Sequence, residues 1–359
     1  MPSKILKKYI WTTISCFLCL STYAQSGWDK ERETVKMNIK ESGLGISVSF
    51  LADTLCGGRA TGTRGSSEAA FWIERQFSQA GLLPLGKGYA MAFRTQAGAK
   101  AHNIIGFIPG SLTMPRDRYI IVGAHYDHLG ELGGKVYPGA DANASGTVAM
   151  TSLAQMFAQM REMGKVYDSS IIFVAFDAKE HDLAGSGALW DAISEGELTD
   201  PVSGKQITKG KISLMVNIDQ VGSTLSPISK NRKDYLIMLG TPSLKQSRKK
   251  VLEQVNSANG IDMELALDYY GSRNFTKVFY RLSDQRIFVD NKVPAVLFTS
   301  GITMNTNKTR DTAASLDMQI FRKRIELMFH WLEEMLKRPL YISSYYFSYS
   351  PEVMRSIHS

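Results

Sequence analysis

The chain has 359 residues, 44% of them hydrophobic, which is enough apolar material for one large domain or two small ones. Its formal net charge is +8, but the basic clusters 230–233, 248–250 and 322–324 are scattered and lack interleaved aromatic residues. This pattern favours a solvated basic surface and no nucleic-acid partner.

A secretory signal peptide is predicted for residues 1–24. Its lysines precede an apolar run over 9–20, which is too short to cross a bilayer as a helix. No other uninterrupted apolar stretch is longer, so we expect no transmembrane segment, cleavage after Ala24 and a periplasmic or extracellular location. Lipidation at Cys16 is a minor alternative, because the residues before it match the usual pattern poorly.

The mature protein is predicted to fold without a disulfide. Removal of the signal leaves Cys56 as the single cysteine, so an intramolecular bridge is excluded even in an oxidising compartment. We predict one domain over 25–338 and a tyrosine-rich extension over 339–359, which packs on the domain surface or contacts another molecule. The oligomeric state is left open.

The predicted elements alternate between helices and apolar strands. Helical periodicity over 34–55 ends at a Gly- and Thr-rich loop over 57–63. We then predict, in chain order, a helix over 66–81, β-rich runs over 89–95 and 102–108, a buried strand over 119–124, a helix over 146–163, a buried strand over 170–176, a helix over 183–194, a strand over 212–217, an apolar run over 235–239, a helix over 241–259, a strand over 295–298 and a helix over 318–337. This alternation predicts an α/β fold with a mostly parallel central sheet that helices cover on both faces.

Polar residues follow three of the predicted strands. The segment 125–128 (His-Tyr-Asp-His) follows the first, 177–182 follows the second, and Asp219 follows the third. Ligands of open α/β sheets bind outside the carboxyl ends of the strands, so these side chains can converge on one point. A histidine with carboxylates suits zinc, whereas a hydrogen-bonded polar network is the alternative; spacing alone leaves both open.

Five short segments form an ordered pattern along the chain. They are 58–63 (GRATGT), 121–130 (IVGAHYDHLG), 139–146 (GADANASG), 173–176 (FVAF) and 217–222 (NIDQVG). In order and spacing they resemble the dinuclear-zinc exopeptidases, peptidase family 28 of the metallopeptidases, over about residues 51–331. That family includes bacterial aminopeptidases, glutamate carboxypeptidases, glutaminyl cyclases and the non-enzymatic transferrin receptor.

The resemblance implies a fold, a cofactor and a reaction. The fold is the zinc-exopeptidase fold, the cofactor is zinc, and the reaction is peptide-bond hydrolysis on peptides or amino-acid-like ligands. Two ions acidify a bridging water and polarise the scissile carbonyl, and a neighbouring glutamate takes the proton. By position, His125 and Asp219 match ligands of one ion, Glu180 matches a ligand of the other, and Asp127 matches the aspartate that orients His125.

Several positions depart from the family pattern. The bridging aspartate, the general base and the last histidine ligand fall on Ala142, Lys179 and Asn307. The family's Ser-Asp-His segment beside the substrate pocket reads 283–285 (Ser-Asp-Gln), so Asp284 and Gln285 stand there. A glutaminyl cyclase is excluded, because it needs aspartate, glutamate and histidine ligands of which only the glutamate remains.

These departures predict a site that no longer assembles a zinc pair. A protonated lysine cannot accept the proton of water, and we hypothesise that the Lys179 ammonium occupies the vacated space and pairs with Glu180 and Asp219. The first hypothesis is therefore a catalytically impaired or inactive family member that binds peptides or another ligand, or serves only as a scaffold.

A working hydrolase with a rearranged site is the second hypothesis. One metal ion could be held by His125 and Asp219 with Asp141 shifted inward, and His128 or His181 could assist. Histidines in such loop positions are more often surface or hydrogen-bonding residues, which weighs against an assisting role for either.

Overall fold

The computed structural model describes residues 28–111, 118–224 and 232–337. The predicted signal peptide (1–24) and the tyrosine-rich extension (339–359) lie outside the described residues, and both stay predictions. Among the helices within the described ranges, none has the length and apolar character that crossing a bilayer requires.

A nine-stranded sheet forms the centre of the domain. The described residues form eleven strands, nine of them in this sheet. They are β1 (Leu83–Pro84), β2 (Ala90–Arg94), β3 (Lys100–Ile108), β4 (Tyr119–His125), β5 (Gly130–Leu132), β6 (Lys135–Tyr137), β7 (Ser170–Phe176), β8 (Ile212–Ile218), β9 (Tyr235–Leu239), β10 (Glu264–Leu267) and β11 (Ala295–Thr299). The order across the sheet is β1-β3-β7-β4-β8-β11-β9-β10, β2 pairs with β3, and β5 and β6 form a separate hairpin. The central strands β7, β4, β8 and β11 are parallel, whereas β3 and β9 join them antiparallel, so the predicted mostly parallel sheet is confirmed.

Helices cover both faces of this sheet. They are α1 (Asp29–Asn38), α2 (Glu41–Leu51), α3 (Arg64–Gln79), α4 (Gly146–Glu162), α5 (Ala184–Glu195), α6 (Val251–Ala258), α7 (Arg273–Arg281), α8 (Gln285–Asp290) and α9 (Met318–Leu336). Alternate residues of β4 point to opposite faces: Ile120 packs in one core with Phe157 of α4 and Trp331 of α9, and Ile121 packs in another with Phe288 of α8. Both faces of the central strands are therefore buried, which explains their continuous apolar sequence.

Two predicted helices are shorter or broken in the structure. The helical pattern of 34–55 forms two helices, because Ile39 and Lys40 are extended between α1 and α2. The carbonyls of Lys36 and Ile39 at this break accept hydrogen bonds from Arg322 of α9. The predicted helix over 241–259 is helical only from Val251 to Ala258, after two short 3-10 turns.

Candidate functional site

The candidate site lies at the carboxyl ends of β4, β7 and β8. His125 is the last residue of β4 and pairs in register with Phe176, the last residue of β7, while Asp219 directly follows β8. The parallel arrangement brings the segments after these strands to one edge of the sheet. The predicted convergence of polar residues at this edge therefore has its structural basis in the order β7-β4-β8.

His125 is buried between two aspartates. Its Nε2 is 3.4 Å from Oδ1 of Asp219, and its Nδ1 is 3.0 Å from the carbonyl oxygen of Asp127. Burial by itself lowers the pKa of His125, but the charge of Asp219 and a hydrogen bond to Asp127 outweigh burial and raise the pKa to about 10. The imidazole is therefore a cation at neutral pH.

Asp127 connects the end of β4 to the segment after β7. Its two carboxylate oxygens accept hydrogen bonds from the backbone N–H groups of Lys179 and Glu180, both at 3.0 Å. Burial by itself raises the pKa of Asp127, but His125 and these backbone donors lower it. Asp127 thus orients His125 and also holds the backbone of Lys179 and Glu180. In the family that the sequence resembles, these last two positions carry the general base and a metal ligand.

Lys179 forms an ion pair inside the candidate site. Its Nζ is 3.1 Å from Oε1 of Glu180, and the lysine side chain is 20% exposed. Burial by itself lowers the pKa of Lys179, but the charges of Asp219 and Glu180 raise it above its usual value. Of the two partners predicted for the ammonium, Glu180 is in direct contact, and Asp219 acts through its charge.

Asp219 is held by a residue that the sequence left without a role. Its Oδ1 faces His125, and its Oδ2 accepts a hydrogen bond from the hydroxyl of Ser283 at 3.0 Å. Burial by itself raises the pKa of Asp219, but His125, Lys179 and Ser283 together lower it. Ser283 precedes the two positions predicted beside the substrate pocket, so the same segment orients a retained ligand position.

The two predicted pocket residues lie inside the fold. Asp284 and Gln285 have no exposed surface, and Gln285 accepts a hydrogen bond from the side chain of Asn217 at 3.0 Å. Within the described residues, neither carboxylate oxygen of Asp284 has a hydrogen-bond partner. Burial raises the pKa of Asp284 to about 6. Their assignment to the substrate pocket stays a prediction.

The loop 139–146 places a methyl group where the resemblance expects the bridging carboxylate. Ala142 is buried, and its backbone N–H donates to Oδ2 of Asp311 at 3.1 Å. The neighbouring Asp141 accepts hydrogen bonds at Oδ1 from the backbone of Gly222 and Ser223 and from a serine hydroxyl. This carboxylate is thus engaged by the segment after β8 rather than shifted inward beside the retained ligand positions.

The remaining candidates differ in their surroundings. Asn307 and His181 are exposed, and Asn307 has a positive φ of 58°. His128 is buried, and neither of its ring nitrogens has a hydrogen-bond partner within the described residues. Its ring packs against Gly139, where a Cβ atom would lie 2.4 Å from the imidazole, so only glycine fits there.

Arg59 joins the loops around the site. Its guanidinium donates to the carbonyls of Tyr126, Pro138 and Gly139 and to that of Leu51 at the end of α2. The side chain has no exposed surface. The segment after β4 and the segment before the loop 139–146 are therefore tied to one buried cation, a role that its GRATGT motif did not predict.

A family model for peptidase family M28 matches residues 103–332, well over half of the chain. The chain belongs to peptidase family M28. This confirms the family resemblance that the five segments indicated. The family includes metallopeptidases and aminopeptidases. No curated protein matches the chain in sequence.

Solved structures of M28 proteins share the fold at low sequence identity. LapB from Legionella pneumophila has a TM-score of 0.64 at 16% identity, covering 87% of this chain and 76% of LapB. The zinc aminopeptidase BSAP from Bacillus subtilis has a TM-score of 0.61 at 16% identity, with 83% and 96% covered. Glutaminyl cyclase from Porphyromonas gingivalis has a TM-score of 0.57 at 16% identity, with 82% and 98% covered. These similarities establish the fold.

The residues of this M28 site do not fit a pair of zinc ions. The 3.4 Å between His125 Nε2 and Asp219 Oδ1 would allow both atoms to bind one tetrahedral ion, with bonds of about 2.0–2.2 Å. A third protein ligand is missing, because the bridging position is Ala142, and an ammonium group already pairs with Glu180. Across residues 28–111, 118–224 and 232–337, no three histidine, cysteine or acidic side chains are grouped so that they could hold a metal ion.

Proposed function

We propose that this protein is an exported member of peptidase family M28 that binds peptides or amino-acid-like ligands and has lost zinc-dependent hydrolysis. The observation that carries the proposal is the 3.1 Å ion pair between Lys179 and Glu180. It joins the general-base position to a ligand position of the family. Neither group is then available for the role that the family gives it.

The charges of the site support this loss. A general base must accept a proton from water, and an ammonium group with a raised pKa cannot do so. Zinc binding at His125 would have to displace a proton that Asp219 and Asp127 stabilise on the imidazole. Positive charge that zinc would supply therefore comes from the chain itself, which removes the need for a metal to balance the buried carboxylates.

Export rests on the sequence of residues 1–24. The basic start and the short apolar run that follows it support a cleaved signal peptide, with a periplasmic or extracellular location. N-terminal sequencing of the protein recovered from outside the cytoplasm should begin at Gln25. Recovery of the intact N-terminus from the cytoplasm would contradict export.

Metal content and turnover test the loss of hydrolysis together. The purified full chain is equilibrated with micromolar zinc, dialysed without chelator and assayed for zinc by mass spectrometry. Aminoacyl and dipeptide substrates are screened in parallel, and peptide binding is measured by thermal shift. We expect well below one equivalent of zinc, no turnover and stabilisation by at least one peptide class. Two equivalents of bound zinc per chain together with substrate turnover would contradict the proposal.

A hydrolase with a single metal ion is the second candidate. The observation in its favour is the spacing of His125 Nε2 and Asp219 Oδ1, which suits a shared ion. One tightly bound equivalent of zinc, removed by His125→Ala and accompanied by turnover, would favour this candidate. Metal without turnover would leave the binding function in place.

A further inference from the structure

A basic groove lies at the amino ends of the sheet strands, on the edge opposite the candidate site. The apolar residues Ile212 and Leu244 form the floor of this basic groove. Its rim consists of four cations: Arg118, Lys211, Lys245 and Arg248. Its volume is about 240 Å³. All charged residues that line it within the described part of the chain are cations.

The described chain ends beside this groove. Helix α9 finishes at Leu336, whose carbonyl accepts a hydrogen bond from Ser169 at the start of β7. The carbonyl of Lys337, the last described residue, accepts a hydrogen bond from Arg248 at 3.3 Å. Arg248 therefore both binds the last described residue and lines the basic groove.

The sequence beyond this exit matches the chemistry of the groove. Residues 338–359 lie outside the described residues, and 341–349 contains four tyrosines and one phenylalanine. No charged residue stands between Arg338 and Glu352. Neutral aromatic rings suit an apolar floor with a cationic rim, because cations are attracted to ring faces within about 6 Å of the centroid.

Reach and volume agree with this match. Tyr341 is four positions after Lys337, with three residues between them, which allows a span of up to about 14 Å. A small-molecule pocket usually has about 300–1,000 Å³, so the smaller groove suits one or two side chains better than a whole ligand. Cation–π contacts also occur elsewhere in this protein. Lys209 lies 5.4 Å from the ring centroid of Trp190, and Arg324 lies 5.0 Å from that of Tyr235.

We propose that the aromatic segment 341–349 occupies the basic groove of its own chain. The rings lie against Ile212 and Leu244, and Lys211 and Lys245 contact ring faces. Docking of the segment would cover the apolar floor and hold the end of the chain on the edge of the sheet away from the candidate site. This inference is independent of what the candidate site binds.

A photo-cross-link in the otherwise unchanged full chain tests the occupant. Tyr345 is replaced by p-benzoylphenylalanine, the dilute protein is irradiated, and the cross-linked peptides are identified by mass spectrometry. We expect links within one chain to residues 210–214 or 244–248. Links to other surfaces would overturn the proposal. Products of twice the chain mass would also overturn it, because they would assign the groove to the segment of a second copy.

Charge reversal tests the contact itself. In the same cross-linking chain, Lys211→Glu with Lys245→Glu should lower the yield of groove links by about five-fold or more, because the rim no longer attracts ring faces. Lys249→Glu with Lys250→Glu is the matched control, since it changes the net charge equally at residues that do not line the groove. Equal yields from the two double variants would overturn the cationic basis of docking.

Discussion

Two partly buried charge clusters, one at the carboxyl ends of the central strands and one between helices α1 and α9, differ in how their polar atoms are paired. The site cluster comprises His125, Lys179, Glu180 and Asp219. The clamp cluster comprises Arg32, Tyr167, His330 and Glu333 and joins helix α1 to helix α9. Each places a histidine and a lysine or arginine beside at least one carboxylate. Only the site cluster stands where ligands of open α/β sheets bind.

The clamp cluster is centred on one well-paired carboxylate. Glu333 accepts hydrogen bonds from Arg32 Nε at 3.0 and 3.1 Å, from the hydroxyl of Tyr167 at 2.8 Å and from Nδ1 of His330 at 3.1 Å. Burial by itself raises the pKa of Glu333, but these donors outweigh it and lower the pKa. Such pairing stabilises a fixed arrangement of helices.

More buried polar atoms lack partners around the site cluster than in the clamp cluster, where, among the described residues, His330 Nε2 is the one cluster atom without a partner. Within the described residues, neither the carboxylate oxygens of Asp284 nor the ring nitrogens of His128 have hydrogen-bond partners. Buried polar atoms without partners are costly and uncommon, and they are typical of functional sites. The site cluster therefore has buried polar groups beside it that a ligand or water could satisfy, whereas the clamp cluster is centred on a carboxylate that protein donors already satisfy.

The largest effect is expected from breaking the clamp. Glu333→Ala should lower the free energy of unfolding by about 3–5 kcal/mol, because Tyr167, His330 and Arg32 lose the acceptor that they share, although Arg32 keeps its pair with Asp29. Urea unfolding measures the change. Glu334→Ala is the matched control, since this half-exposed neighbour pairs with Lys337 and should cost at most about 1 kcal/mol. Equal losses in the two variants would mean that the clamp contributes no more than a surface pair.

The next largest effect is a pH-dependent change in stability that arises from Asp141, in the loop 139–146 beside the site cluster. Burial and the charge of Asp311 raise the pKa of Asp141 to about 7. The folded protein therefore binds a proton between about pH 4 and 7 that the unfolded chain has released, so this group's contribution to stability falls as pH rises through that window. Asp141→Asn should be more stable than the parent by roughly 4 kcal/mol at pH 8 and nearly equal at pH 4.

Urea unfolding of both proteins at several pH values checks the Asp141 prediction. Asp311→Asn is the control, because both oxygens of Asp311 accept backbone hydrogen bonds and an amide would lose one. At pH 4, where Asp141 is protonated and Asp311 no longer repels a charge there, that variant should be destabilised whereas Asp141→Asn should not be. A stability difference for Asp141→Asn that does not change with pH would contradict the raised pKa.

A gain of metal binding would sharpen the comparison further. Ala142→Asp with Lys179→Glu introduces two carboxylates, of which the aspartate would be a third ligand beside His125 and Asp219, and removes the ammonium group. Zinc affinity should rise by at least about 100-fold, or about 2.7 kcal/mol, because three protein ligands are the usual minimum for zinc. Calorimetric titration measures it, with Ala142→Asn and Lys179→Gln as the control pair. Unchanged affinity would show that the loop cannot bring a ligand to the site.

The smallest effect is expected from Lys179 alone. Lys179→Ala should lower the melting temperature and the free energy of unfolding by about 1–2 kcal/mol, because Glu180 and Asp219 lose a compensating cation. Partial exposure of the lysine keeps the loss below that of the clamp. Lys179→Arg keeps the charge and should recover most of the stability. An unchanged melting temperature for Lys179→Ala would reject the idea that the ammonium replaces the metal charge.

The sequence predicted the central strands more accurately than the helices at the edges. Strand β7 occupies 170–176 as predicted, because its continuous apolar run has no other way to bury both faces. The periodicity of 34–55 could not show the break at Ile39, which depends on Arg322 reaching across from α9. A hydrogen bond between residues this far apart in the chain leaves no local pattern.

The sequence by itself determined the family and the fold class. It did so because ordered motifs and apolar runs are local properties of the chain. Only the tertiary structure decided that Ser283 holds Asp219 and that Arg59 ties the loops together. These outcomes depend on distances and burial between strand ends, which the folded sheet brings together and which no local pattern records.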